Sequence, residues 1–533
     1  MNPELRARVT AWIADDVDPD AAAELQALLD ADDDASRAEL ADRFAGHLTF
    51  GTAGLRGPIR PGPNGMNRTV VRRAAAGIAA WLLEHGHAGQ PVVVGYDGRH
   101  GSHDFATDSA AIFAAAGFET LLMPTTLPTP VLAFSVQHLR AAAGVMVTAS
   151  HNPPADNGYK VYAADGAQIV PPTDSEIESA ILAVGSSRAI PLEPGGVRVL
   201  GDDLVADYVS AVAGLIGPGP RDVTLVHTAM HGVGTTTLRR VFVAAGFAEP
   251  TSVGAQRDPD ADFPTVSFPN PEEPGALDLA FEQAIAVDAD LIIANDPDAD
   301  RCAVAVPVSD GWRMLRGDQV GVLLADALLR KGIRGTYATT IVSSSMLGAL
   351  AAKHGVGYAE TLTGFKWISR AARDLVFGYE EALGYAVAPN LVRDKDGVSA
   401  ALLVAELAAQ LKADGSSVTE RLEELYTEYG RYATDQLSLR VDDLSLISAA
   451  MERVRANPPT TLLGTAAAFT ELLPDTDGVR LRFAGGRVVI RPSGTEPKLK
   501  AYLEVVLHGS AAEAADKLAM LRSEIAAALG VDG

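Results

Sequence analysis

The pattern of hydrophobic and polar positions changes in kind along the chain. Residues 1–45 read as helical, and an Ala/Leu-rich run from Ala21 to Leu29 ends in Asp30, Asp32, Asp33 and Asp34, read as a solvated acidic loop. Between 70 and 190, short apolar runs alternate with amphipathic stretches. Val71–Glu84 and Ser109–Ala116 predict helices; Pro91–Gly95, Glu119–Met123 and Gly144–Thr148 predict strands. Short apolar strands separated by helices imply βαβ units and a mostly parallel sheet. The grammar returns with strands at Val223–Val226 and Leu291–Ala294 and helices at Thr236–Ala245 and Ala276–Ile285. A third unit starts at the strand Tyr337–Val342, continues through a helix near Ser345–His354 and is closed by the helix Ala400–Lys412. The Pro- and Gly-containing segment Ala189–Val197 is a candidate boundary.

After residue 430 the period changes. Gln436–Val441, Val479–Phe483, Arg487–Ile490 and Leu499–Leu507 alternate as half-buried strands do, and a last helix spans Ala511–Leu529 with Ser510 as its N-cap. The chain therefore reads as three similar α/β units followed by an α+β unit. Its 533 residues suit that number at about 150 per domain. Hydrophobic residues make up 47%, which excludes global disorder. The net charge of −24 argues against a nucleic-acid or anionic-membrane partner, since both are held by Lys and Arg. The first ten residues have no apolar core of a signal peptide, and no apolar run approaches the roughly 18 residues of a membrane span. A cytoplasmic protein, monomeric or a small homo-oligomer, is expected. The single cysteine, Cys302, allows no intrachain disulfide and reads as core.

Five polar motifs lie at strand ends or in Gly-rich loops. Thr148-Ala149-Ser150-His151-Asn152-Pro153 follows an apolar strand, which places Ser150 where ligands bind in open α/β sheets and where a hydroxyl can carry a group covalently. Lys160 lies ten residues on, near enough to return to that site. In Asp296-Pro297-Asp298-Ala299-Asp300-Arg301, carboxylates at alternate positions converge on one hard cation, Mg²⁺ or Ca²⁺, if the loop curls. An EF-hand is excluded, because its glycine position holds Arg301 and its final glutamate position holds Pro307. Glu380-Glu381 offers acceptors to two sugar hydroxyls, although a pair of surface glutamates has the same sequence. Arg491-Pro492-Ser493-Gly494-Thr495-Glu496-Pro497-Lys498 sets a guanidinium and an ammonium around a Ser-Gly-Thr turn, a fit for a phosphate dianion. Phe50 to Gly57 is a Gly-rich loop that presents Arg56.

In this order the serine loop, the Asp-x-Asp-x-Asp loop, the Glu pair and the Arg-Pro-Ser-Gly-Thr loop resemble the α-D-phosphohexomutases, over roughly residues 45 to 510. Gly51-Thr52-Ala53-Gly54-Leu55-Arg56, Phe263 to Glu273, Thr363-Gly364-Phe365-Lys366 and Asp394-Lys395-Asp396-Gly397-Val398-Ser399 are most similar to the phosphoglucomutase-2 and phosphopentomutase branch. The resemblance implies an α/β fold: three similar α/β domains with mixed, mostly parallel sheets and a C-terminal α+β domain, around a central cleft. Boundaries are expected at 1–200, 201–313, 314–425 and 426–533. It implies that Ser150 carries a phosphoryl group, that Asp296, Asp298, Asp300 and a phosphoserine oxygen hold one Mg²⁺, and that a sugar monophosphate passes through a sugar bisphosphate, which also acts as activator. Arg491, Ser493, Gly494, Thr495 and Lys498 would hold the distal phosphate, and Glu380, Glu381, Thr363, Gly364 and Arg301 the sugar or its surroundings. Arg56 would act through charge alone, Lys160 or Lys395 as acid/base if its pKa is lowered, and His151 by orienting the loop.

Two departures bear on specificity. Ala382 stands where many hexose-phosphate mutases have Ser, and Leu383-Gly384-Tyr385 where the bacterial phosphomannomutase type has a nearby His. The expected reaction is a C1/C6 shift on a hexose phosphate, with a C1/C5 pentose-phosphate shift as the close alternative. An aspartyl-phosphate phosphatase and a non-catalytic phosphosugar-binding protein are the readings from other classes. The phosphatase would leave Ser150 and the Arg491 loop without a role.

Overall fold

The computed structural model describes residues 1–51, 54–441, 443, 445–493 and 498–530. The chain forms two compact units, residues 1–315 with 384–413, and residues 316–383 with 414–533.

The first unit opens with helices Pro3–Asp15, Pro19–Ala31 and Asp34–Arg43, packed on Val9, Leu25, Leu40 and Phe44. The acidic run read as a loop is a helix junction. Asp32 takes a left-handed C-cap conformation and pairs with Arg37, while Asp33 caps the next helix by accepting from the N–H of Ser36. The carboxylates are placed there by capping, since an N-cap oxygen satisfies donors the helix cannot.

A six-stranded mixed sheet follows: β1 (Gly54–Pro58), β2 (Pro91–Tyr96), β3 (Glu119–Leu122), β4 (Ala143–Val147), β5 (Asp156–Ala163) and β6 (Val197–Val199), in the order β1-β5-β4-β2-β3-β6. β4, β2, β3 and β6 run parallel, whereas β5 and β1 add antiparallel on one side. Every residue of β4 is buried, as the apolar run requires of a central strand. The segment at 189–197 is not a plain connector, because β6 completes the sheet beside β3. A second sheet contains β7 (Leu225–Thr228), β8 (Thr251–Ser252), β9 (Leu291–Ala294), β10 (Ala303–Val308) and β11 (Gly311–Met314), in the order β11-β10-β9-β7-β8. It is parallel at β9-β7-β8 and antiparallel at β9-β10-β11. The sheets are therefore mixed more evenly than alternating strands and helices imply.

The helix Gly397–Ala413 forms where the sequence predicts one, after the third α/β unit's strands. With the short strand β15 (Gly384–Ala386) it belongs to the first unit and packs on the helix Gly234–Ala244 and on β9. Asp396 starts this helix. Its carboxylate accepts from the N–H groups of Val398 and Ser399 and from the Tyr208 hydroxyl at 2.8 Å.

The second unit has parallel strands β12 (Thr336–Thr340), β13 (Gly357–Thr361) and β14 (Leu375–Glu380), with β12 between the other two. It also has an antiparallel sheet of β16 (Arg431–Arg440), β17 (Thr461–Leu462), β18 (Thr465–Glu471), β19 (Val479–Phe483), β20 (Gly486–Pro492) and β21 (Lys498–Leu507), in the order β16-β21-β20-β19-β18-β17. The helix Ala511–Leu529 covers that sheet and is capped by Ser510, as its sequence predicts. Ile341 and Val342, just past β12, pack on Val489 and Tyr502 and join the two layers.

Asp318 is buried at the start of the helix Gly317–Arg330, where it accepts from the N–H of Ser344 at 2.6 Å and the Tyr379 hydroxyl at 3.2 Å. Burial pushes its pKa up to about 6, against the Ser344 hydrogen bond, and Glu504 adds repulsion. The folded chain keeps this proton at pH values where the unfolded chain has lost it. The contribution is therefore full below pH 4, falls as pH rises through 6, and is flat above. Thermal melts from pH 4 to 8 are expected to show a loss on the order of 2–3 kcal/mol from this group. Asp318→Asn is expected to remove that slope; an unchanged slope would contradict the assignment.

Candidate active site

The first unit gathers three loops at strand ends. Ser150 follows β4 and has φ 53°, a left-handed conformation that a non-glycine residue adopts at a cost. The loop is held from inside: the N–H of Ser150 donates to Thr148 Oγ1 at 2.9 Å. The side chain lies at the Asp296–Asp300 loop, with Oγ donating to Asp296 Oδ2 at 2.9 Å and lying 3.2 Å from His151 Nδ1. Burial drives the His151 pKa well below the usual histidine range, and Arg301 and Arg56 add repulsion. His151 is thus held toward its neutral form beside the serine.

Asp296, Asp298 and Asp300 are fully buried, and one oxygen from each lies within 4.8 Å of the others. The loop curls because Ala299 takes φ 54°, its N–H donates to the carbonyl of Asp296, and Asp296 Oδ1 accepts from the N–H of Arg301 at 3.0 Å. Lys160, returning on β5, donates to Asp298 Oδ2 at 2.6 Å and Asp300 Oδ2 at 2.8 Å. Lys395 Nζ lies 2.9 Å from Asp300 Oδ2, and Thr129 Oγ1 donates to Asp298 Oδ2 at 2.6 Å. Arg301 Nε lies 3.9 Å from Asp296 Oδ2. Gly397 is required here, since a side chain on it would run into the carbonyl of Arg301.

The charges sort the three acids. Burial raises all of them. In Asp298 and Asp300 it is outweighed, chiefly by Lys160, and both stay ionised below the ordinary range. In Asp296 burial prevails, and with the charges of Asp298 and Asp300 it pushes the pKa up to about 8. The same carboxylates act on Lys160. Burial would lower its pKa, as an acid/base role requires, but Asp298 and Asp300 hold it above the usual lysine value. Arg56, on β1 beside Gly158 of β5, donates to Asn152 Oδ1 at 3.1 Å and remains a cation despite its burial.

The donor set fits a hard divalent cation. Three carboxylates converge, and the buried Oδ1 atoms of Asp298 and Asp300 have no hydrogen-bond partner among the described residues. Cys302 is buried beside the loop, and burial raises its thiol pKa, as expected of a core residue.

In the second unit Glu381 Oε2 accepts from Ser343 Oγ at 2.8 Å and Thr340 Oγ1 at 3.2 Å, and its N–H donates to Ser343 Oγ. The Glu pair is therefore built into a hydroxyl-lined turn at the end of β14. Thr363 and Gly364 follow β13, Gly364 at φ 106° just before the helix Phe365–Ile368. Arg491 lies on β20 near Tyr502, a buried phenol that also feels the charges of Glu381 and Glu380. The N–H of Ser493 donates to the carbonyl of Lys498 at 2.8 Å. Gly494 and Thr495 lie outside the described residues, as do Thr52, Ala53, Glu496 and Pro497.

Some residues escaped the motif reading. Arg99, Thr129, Thr340 and Ser343 all touch the loops named above. Thr340 and Arg99 share a signal with Ser150, a polar residue at or just beyond the carboxyl end of a parallel strand.

Residues 47–188 match the phosphoglucomutase/phosphomannomutase α/β/α domain I, 206–309 domain II, 316–429 domain III, and 437–521 the C-terminal domain. The chain belongs to the phosphoglucomutase/phosphomannomutase family. Its reaction class is that of a phosphosugar mutase. A Haemophilus influenzae protein named as a probable phosphomannomutase is 47% identical over 454 residues, covering 83% of this chain and 93% of its own. A human phosphopentomutase is 35% identical, covering 88% and 87%. A Staphylococcus aureus phosphoglucomutase is 33% identical, covering 88% and 91%. Among solved structures, a Thermus thermophilus protein classed with the phosphomannomutases superposes with a TM-score of 0.73 at 27% identity, over 90% of this chain and 99% of that one.

Divalent cations are expected to stabilise the first unit, by about 2.7 kcal/mol at a hundredfold excess over Kd, and so to raise its melting temperature. EDTA should reverse the rise and Asp298→Asn should abolish it. A wild-type melt that ignores Mg²⁺, Mn²⁺ and Ca²⁺ would contradict the assignment of the triad.

Proposed function

We propose that the protein moves a phosphoryl group between C1 and C6 of a hexose phosphate, with Ser150 as the carrier. The observation that supports this reading most is the seat of Ser150 Oγ, 2.9 Å from a carboxylate of a buried three-aspartate loop. The 47% identity to the phosphomannomutase-named relative favours a hexose. Ala382 in place of a serine favours the pentose reading, a C1/C5 shift, as the second.

In this reading the free hydroxyl of the sugar monophosphate attacks phosphorus on phosphorylated Ser150. The P–Oγ bond breaks, its electron pair goes to Oγ, and a sugar bisphosphate results. After the sugar turns over, Oγ takes the other phosphoryl group and a hydroxyl is freed. Asp296, Asp298 and Asp300 would hold Mg²⁺, which would supply Lewis-acid stabilisation of charge at the transferring group. Arg56 adds fixed positive charge. Lys395 is our candidate for proton transfer, because Lys160 is committed to two carboxylates. Arg301 ties the metal loop. Glu380, Glu381, Thr363 and Gly364 are assigned to the sugar. Arg491, Ser493, Gly494, Thr495 and Lys498 are assigned to the phosphate that does not react. Domain limits near 200, 313 and 425 go with this assignment; the gaps between the first three domain matches support the first two.

The test is kcat/KM for mannose, glucose, ribose and deoxyribose 1-phosphates with Mg²⁺ and glucose 1,6-bisphosphate, with Ser150→Ala run beside wild type. A hexose preference, lost by a factor of about 10³ or more in Ser150→Ala, is expected. Retained turnover in Ser150→Ala would overturn the carrier assignment, and a pentose preference would overturn the substrate.

A further inference from the structure

Arg99 lies just beyond β2, in Asp97-Gly98-Arg99, and is 4% exposed. Its guanidinium reaches four backbone carbonyls of the serine loop. Nη2 donates to the oxygens of Ser150 at 2.5 Å and Asn152 at 2.6 Å. Nη1 donates to those of Pro153 at 2.8 Å and Asp156 at 3.2 Å. Asp97 lies behind it, 3.4 Å from Nε, and accepts from the Arg99 N–H and from Ser102 Oγ. The ring of Phe263, from the long loop after β8, lies 4.9 Å from the guanidinium carbon. Close contact continues along the turn, where Gly98 faces Pro259 and His100 Nε2 lies 2.7 Å from Asp262.

We propose that Arg99 is the positioning residue of the phosphoryl-carrying loop, clamped by Asp97 and Phe263. The inference rests on the reading of Ser150 as the carrier. The clamp fixes the peptide after Ser150 and so holds a residue of unfavourable φ in the one arrangement that points Oγ at Asp296. A planar fork suits this work. It spreads four directed hydrogen bonds over carbonyls that converge from one turn, which a lysine ammonium with three donors cannot do. The cation also sits beneath a loop that would gain the negative charge of a phosphoryl group, and it is held too deep for solvent to screen. The four hydrogen bonds go to the backbone of the serine loop and not to the Ser150 side chain, so the effect of Arg99 is on placement.

The test uses the full chain as Arg99→Lys and Phe263→Leu. In Arg99→Lys, kcat with glucose 1-phosphate or mannose 1-phosphate should fall about 100-fold, the scale of a reacting group misplaced by an ångström, while KM stays within about threefold. Phosphorylation of Ser150 by glucose 1,6-bisphosphate, followed by intact mass, should slow in parallel. Phe263→Leu keeps all four hydrogen bonds and should lower kcat less, again without a rise in KM. Wild-type kcat and wild-type phosphorylation rate in a folded Arg99→Lys overturn the inference. If that variant does not fold, Phe263→Leu decides, and an unchanged kcat there overturns it. If wild type itself takes no phosphoryl group on Ser150, the proposed function fails; if wild type does and both variants match it, only this inference fails.

Discussion

Burying three carboxylates within 4.8 Å of one another is the constraint on which the first unit depends. Unpaired, they would be intolerable in a medium of low polarity. The chain meets the charge with groups drawn from several segments. Lys160 comes from an antiparallel strand added beside β4, Lys395 from the segment that re-enters the unit after residue 383, and Thr129 from the start of a helix. These segments meet at the Asp296–Asp300 loop. The Lys395–Asp300 pair ties residues 384–413 to this unit, while residues 316–383 group with the second. Gly397, packed on the carbonyl of Arg301, and Asp396, capping the following helix, fix the point where Lys395 is delivered.

The second unit follows a similar logic with different chemistry. Glu381 is held at a strand end by hydroxyls from the neighbouring strand end, Thr340 and Ser343. Arg487 donates to the carbonyl of Ser343 and is itself paired with Glu504 and Glu360. Ser344 and Ser345 both bind Glu504. The Ser343–Ser345 turn that holds Glu381 is thus braced from β20 and β21, the strands that bear Arg491 and Lys498. In both units a sheet supplies the position of a short polar turn.

Much of this was legible in the residues. Fully apolar runs such as Leu291–Ala294, and alternating ones such as Val479–Phe483, form strands with the predicted limits, and Ser510 caps the helix that its pattern announces. The spacing of Asp296, Asp298 and Asp300 was enough to propose convergence, because alternate residues of a curled loop share a side. Other features were hidden for identifiable reasons. β5 carries Asn157, Gly158 and Lys160 in place of an apolar run, so its pattern gives no strand signal, yet its register sets Lys160 beside Met146. The helix 397–413 is strongly helical in sequence, but nothing local says which unit it covers. Arg99 looks like a surface arginine in a turn until the four carbonyls of another loop are placed around it. The direction of the Lys160 pKa is a further case: burial and two carboxylates act in opposite senses, and only distances decide between them.

The division of labour also bears on substrate choice. Relatives at 33–47% identity carry phosphomannomutase, phosphopentomutase and phosphoglucomutase names. A phosphoryl transfer run by charge and placement is indifferent to most of the sugar. The cationic loop assigned to the second phosphate is likewise indifferent to which end of the sugar it holds. Discrimination must then come from groups that meet hydroxyls, where a matched hydrogen bond is worth far more than a methylene of extra space. Of the residues assigned to the sugar, Glu381 already shares one oxygen with two protein hydroxyls, and the neighbouring Ala382 offers no side-chain hydroxyl of its own. A sugar hydroxyl that binds there competes with, or joins, Ser343 and Thr340. Changes at 340, 343 and 382 should therefore move preference among sugars while the serine and metal loops, held by a different unit, keep the same chemistry.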